Sequence, residues 1–136
     1  WDIDKGILEN KMMNESEIRE WINNGMEIGS HTQNHENLTE CNTEKAFKEI
    51  QQSKLDLEYR FKIPVNHFCY PYGSHNDSIT SLTKKAGYVT ATTTNRGRSK
   101  MNDNLLTLPR VQVTHHTLPH LFLMKILSQY EDRRGQ

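Results

Sequence analysis

The sequence predicts an α/β domain built on a parallel sheet, and three observations carry that prediction. Segments of helical periodicity alternate with short β-rich segments along the chain, the pattern of strands joined by helical crossovers. Capping residues open the helical segments and glycines close two of them, so the alternation is punctuated where real elements would end. The polar residues Ser30, His31, His35, Tyr70, Tyr72, Asn95 and Arg96 all fall at or just after expected strand ends. That is the rim on which such sheets bind ligands.

The elements follow in order. "NESEIREWINNG" starts with Asn14 and has Glu17 three residues on, a capping-box pattern, and sets Ile18, Trp21 and Ile22 on one helical face. Gly25 supplies a left-handed stop. "MEIGSH" reads as a strand ending near Ser30. The second helix is "NTEKAFKEIQQSKLDLEYRF", with Ala46, Phe47, Ile50, Leu57 and Phe61 at helical spacing, ending before Pro64. "VNHFCYPYG" is an aromatic, β-rich run closed by a Pro-Tyr-Gly turn. The third helix, "NDSITSLTKKAG", is capped by Asn76 or Asp77, turns Ile79, Leu82 and Ala86 inward, and stops at Gly87. "YVTATTT" is the next strand and "NRGRSKMNDN" a polar loop. "LLTLPRVQV" is a fourth strand broken by Pro109, which a central ladder would not tolerate. The last helix begins near Pro119 and is expected to bury Leu121, Phe122, Met124, Ile126 and Leu127.

At 136 residues the chain is a single domain at most, long enough to bury a core. Lys plus Arg and Asp plus Glu both number 17, so no net field draws nucleic acid or an anionic membrane. The mean hydropathy of −0.84 and the absence of a long apolar run argue against a membrane-spanning segment. "WDIDKGILENKMMNESE" is too charged for a secretory leader, and the compartment stays open. Cys41 and Cys69 are far apart and match no metal or disulfide framework, so both read as free thiols.

His31 and His35 lie four residues apart in "GSHTQNH". Two neutral imidazoles at that spacing converge on one ion when a tight loop or helical turn carries them. Spacing alone is weak support, since seven histidines in 136 residues give about 0.4 such pairs by chance, and His116 with His120 forms another. On spacing, metal ligands and surface or capping histidines both stand. The hydroxyls of Ser30 and Thr32 beside His31 and the strand-end position favour the ligand reading for the first pair.

"EIGSHTQNH" resembles the H-[ST]-x-x-H motif of the polysaccharide deacetylases, and "HFCYPYG" resembles their F-x-Y-P-x-G segment. "KKAGYVTATTTNRG" and "LPRVQV" are similar to the helix end, strand and late strand that follow in that family, and the likeness runs from about Asn14 to Val113. The resemblance implies a partial (β/α) barrel with its first strand or strands missing. It implies a divalent metal, usually zinc, held by His31 and His35 with an aspartate from a T-F-D-D type motif. It implies that the backbone N–H of Tyr72 stabilises the oxyanion, that Tyr70, Pro71 and Arg110 contact substrate, and that His115 or His116 supplies the general acid.

The family's T-F-D-D strand has no match here, because Asp2 and Asp4 in "WDIDKG" lie too close to the histidines and lack a preceding apolar strand. The expectation is therefore a C-terminal part of a longer deacetylase, inactive by itself, acting when complete on an N-acetylglucosamine polymer. The late histidines also depart from the family's L-x-H form. A non-catalytic carbohydrate-binding remnant and a hydrolase of a non-sugar amide are the alternatives. Unpaired sheet edges are expected to favour self-association.

Overall fold

The structure is a computed structural model that describes residues 12–134. The helices that cap themselves start where side chains satisfy the free N–H groups of a first turn, and α1 to α3 do so. In α1 (Glu15–Asn23) the Asn14 side chain accepts from the backbone N–H groups of Ser16 and Glu17, and Glu17 Oε2 accepts from Asn14 N at 2.7 Å. Asn42 caps α2 (Thr43–Phe61) and Asn76 caps α3 (Asp77–Lys85) in the same way. Gly25 and Gly87 follow α1 and α3 with φ of +82° and +85°. No glycine follows α2; Lys62 takes the left-handed conformation instead, with φ 58°.

Among the described residues, four parallel strands lie in sequential order: β1 (Gly29–Ser30), β2 (His67–Cys69), β3 (Thr90–Arg96) and β4 (Leu108–Arg110). Gly29 pairs with His67 and Ser30 with Phe68, while Phe68 pairs in turn with Ala91. This is the α/β arrangement that the sequence pattern predicts, and parallel neighbours in chain order are what a partial barrel requires. The core forms where α2 and α3 cover the sheet: Ala46, Ile50, Ile79, Phe68, Tyr70, Tyr88 and Ala91 are buried together with Leu38, Val65 and Leu106. Tyr88 completes its polar end by donating from its hydroxyl to Ile50 O at 3.1 Å, as a buried phenol must.

Several boundaries differ from expectation. β1 is two residues long, and β3 runs on through Asn95 and Arg96 into what reads as loop. β4 keeps only Leu108–Arg110, with Pro109 on the outer edge of the sheet where its missing N–H costs no ladder bond. Edges of two and three residues offer a second copy little to pair with, so self-association through them has no support in the fold.

The largest correction concerns α4 (Pro119–Leu127). Phe122, Met124, Ile126 and Leu127, expected inside, are exposed, and Leu121 is only partly covered. The residue that α4 buries is Lys125, whose ammonium donates to Gln112 O at 2.7 Å and pairs with the fully buried Glu131. Arg96 Nε reaches the same carboxylate at 3.1 Å. An ionic cluster, rather than the apolar stripe, therefore docks this helix. Both cysteines are free. Among the described residues no helix is long and apolar enough to cross a membrane. Asp2 and Asp4 lie outside the described residues.

Candidate active site

His31 and His35 are brought together by a loop that leaves the end of β1 and turns through two left-handed residues, Thr32 (φ 67°) and His35 (φ 55°). Non-glycine residues occupy that region at a cost of order 1–2 kcal/mol, so local bonds must hold them there. The Thr32 hydroxyl accepts from His35 N at 3.0 Å. Between them, Gln33 N and Asn34 N donate to the Glu49 carboxylate of α2 at 3.1 and 2.9 Å. The two imidazole rings end with centroids 4.8 Å apart and nearly perpendicular, at 73°.

His31 is oriented from behind. Its Nδ1 lies 2.7 Å from Cys69 O at the end of β2, and since a carbonyl only accepts, Nδ1 carries the proton. A neutral ring then presents Nε2 as its lone pair. Contacts with Cys69 push the His31 pKa above the ordinary imidazole value, against the opposing pulls of burial and of the Arg110 charge. The Cys69 thiol moves the other way: its hydrogen bond with His31 is the main cause, opposed by burial and reinforced by Thr92 and Arg110. The donor set fits a borderline divalent metal such as zinc at two of its positions. Among the described residues no third His, Cys, Asp or Glu joins the pair.

Opposite the histidines, the chain leaves β2 through a 3-10 turn, Pro71–Gly73. Tyr72 takes φ 59° there, and its ring packs edge-on against His35 with centroids 4.7 Å apart. The side chain is 65% exposed, and its backbone N–H makes no hydrogen bond among the described residues. Gly73 is required at the next position: a Cβ would stand 2.1 Å from Thr94 Oγ1 and 2.6 Å from Thr94 N. Tyr70 and Pro71, expected to touch substrate, are instead buried. Tyr70 donates from its hydroxyl to Leu106 O at 2.9 Å and packs on Phe68, so it builds the floor under the turn.

Arg110 ends β4 with Nε donating to Thr93 O at 2.5 Å, and its charge is felt at both His31 and Cys69. With Thr94, Arg96 and Val111–Val113 it lines a groove of about 440 Å³ along the same rim. His115 and His116 lie in the exposed turn before α4, and their described ring contact, at 3.7 Å, is with each other. The structure thus gathers His31, His35, Tyr72 and Arg110 and leaves His115 and His116 without a shown link to them. Sequence reading missed Glu49. Its signal was a carboxylate on the buried helix stripe between Ala46 and Ile50 and Ser53, where an ionisable group needs a partner.

Residues 6–91 match the sequence model of the family described as polysaccharide deacetylase. The poly-beta-1,6-N-acetyl-D-glucosamine N-deacetylase of Staphylococcus aureus (strain MRSA252) is 27% identical over 119 residues, covering 81% of this chain and 41% of its own. Among solved structures, a Streptococcus pyogenes deacetylase in complex with acetate superposes with a TM-score of 0.81 at 24% identity, covering 92% of this chain and 54% of that one. A polysaccharide deacetylase from Bacillus cereus gives 0.76 at 30% identity, covering 89% and 39%. The chain spans about two fifths of the length of the curated relatives it matches.

Proposed function

The chain belongs to the polysaccharide deacetylase family, and from that premise we propose that it carries the histidine pair and oxyanion turn of a metal-dependent N-deacetylase acting on an N-acetylglucosamine-containing polysaccharide. The observation that supports this reading is the loop that sets His31 and His35 ring against ring, 4.8 Å apart, with His31 Nδ1 tied to Cys69 O. The Staphylococcus aureus relative, named for poly-beta-1,6-N-acetyl-D-glucosamine, supports the substrate class.

His31, through Nε2, and His35 would hold the ion, zinc in this reading. Bound there, it would supply Lewis acidity toward the acetamide oxygen and lower the pKa of a coordinated water. The chain's own residues act around it. The Nδ1–H to Cys69 O bond keeps His31 in the tautomer that a ligand needs. The N–H of Tyr72, without a hydrogen-bond partner among the described residues and set in a backbone that Gly73 and Thr94 lock by contact, is a fixed donor for the oxyanion. The exposed Tyr72 ring gives a sugar an apolar face, and Arg110 lines the groove beyond it. His115 and His116 are the candidates for delivering the proton to the leaving amine, and alanine at both is expected to depress turnover more than substrate binding.

Among the described residues two ligands are present, and two hold zinc less well than the three of a catalytic site, so we expect the chain by itself to be a poor catalyst. Acetate release from N-acetylglucosamine oligomers, with zinc supplied, tests the reading on the chain and on any longer protein that contains it. Release that requires the longer protein and disappears with His35→Ala supports it. No release from the longer protein contradicts it.

A further inference from the structure

The strained metal loop is tied to the end of β2 through His31 Nδ1 and Cys69 O and closed on itself by the Thr32 hydroxyl, and its middle is held from α2. Gln33 and Asn34 are exposed, lie past the end of β1, and sit between the left-handed residues Thr32 and His35. Their backbone N–H groups point together at one carboxylate. Glu49, 5% exposed on the second turn of α2, accepts from Gln33 N at 3.1 Å and Asn34 N at 2.9 Å through Oε2, and from Asn34 Nδ2 at 2.6 Å through Oε1.

We propose that Glu49 is the positioning residue of the metal loop, holding Gln33 and Asn34 from below so that His35 stays turned against His31. This rests on the reading of His31 and His35 as metal ligands. If the carboxylate is withdrawn, two backbone donors lose their partner, and the relaxed backbone of Thr32 and His35 lies in the right-handed region. His35 then swings off the position that faces His31. The effect belongs to hydrogen-bond geometry and not to charge. In Glu49→Gln the remaining oxygen still accepts both backbone N–H groups, and a flipped Asn34 amide turns its own oxygen to the new NH₂. In Glu49→Asp the charge remains but the side chain is one methylene too short.

Zn²⁺ affinity of the full chain, measured by chelator competition beside the denaturant unfolding midpoint, tests this. Loss of an outer partner of a metal ligand typically weakens binding 10–100-fold. Glu49→Asp is expected to lose tenfold or more, and Glu49→Gln to stay within about threefold. Ser53→Ala is the matched control: it breaks the buried 2.7 Å contact with Ser30 one turn further along α2 and is expected to lower the midpoint while sparing Zn²⁺ affinity. Asn34→Ala, at an exposed position, is expected to lose severalfold and carries the test if Glu49→Asp does not fold. Wild-type affinity in folded Glu49→Asp or in Asn34→Ala overturns the inference, as does an equal loss in Ser53→Ala. If wild-type affinity itself is indifferent to His31→Ala, the metal reading falls, a result distinct from failure at Glu49 alone.

Discussion

Tyr72 and Gly73 occupy adjacent left-handed positions, with φ of 59° and 72°, for different physical reasons. At Gly73 the neighbour decides: any Cβ would run into Thr94, whose backbone cannot retreat without breaking β3. Gly73→Ala is therefore expected to destabilise the chain by about 2 kcal/mol or more, combining the left-handed cost with the clash, as read by denaturant unfolding. At Tyr72 the side chain is wanted and the strain is tolerated, a pattern that clusters at functional sites. Tyr72→Gly is expected to raise the unfolding free energy slightly, by about 1 kcal/mol, while weakening substrate binding; a fall in stability would show that the ring's contact with His35 outweighs the strain. The turn was legible in "YPYG" because proline and glycine announce it. The roles within it were not, since nothing in the letters separates the buried Tyr70 from the exposed Tyr72 two residues later.

α4 shows where periodicity misleads at the scale of an element. Its sequence, "PHLFLMKIL", is apolar nearly all round, and an all-apolar helix gives no indication of which face turns inward. The decision fell to Lys125, which meets Glu131 from the following segment, a carboxylate that Arg96 also reaches from 35 residues away and that helical periodicity does not reveal. Lys125→Ala is accordingly expected to cost about 3–5 kcal/mol, because it leaves Glu131 buried with Arg96 alone. Phe122→Ala, on the exposed face, is expected to stay within about 1 kcal/mol. Thermal unfolding of the two variants side by side checks the contrast, and a larger loss at Phe122 would restore the expected packing. By comparison α1 and α3 were readable from Asn14 and from the Asn76–Asp77 pair, because caps are local chemistry, and α2 from its apolar spacing and Pro64. β1 was readable in place but not in length, since pairing rather than propensity sets where a two-residue strand ends.

For the whole molecule, acid stability follows from the same ionic cluster. Burial alone would raise the Glu131 pKa, but the hydrogen bonds and charges of Lys125 and Arg96 outweigh it and hold the carboxyl below its ordinary value of 4.5. A folded pKa lower than the unfolded one contributes stability above that ordinary value and loses it as pH falls through the folded pKa. The unfolding free energy is thus expected to decline below about pH 4.5, and Glu131→Gln to flatten that decline even though it is less stable at pH 7. An equally steep decline in the variant would place the acid sensitivity elsewhere. The proposed function rests on His31 and His35 holding one ion, and Zn²⁺ binding to the full chain by chelator competition examines that most directly. One ion per chain, with affinity lost in both His31→Ala and His35→Ala, is the predicted result; affinity unchanged by either substitution would contradict it.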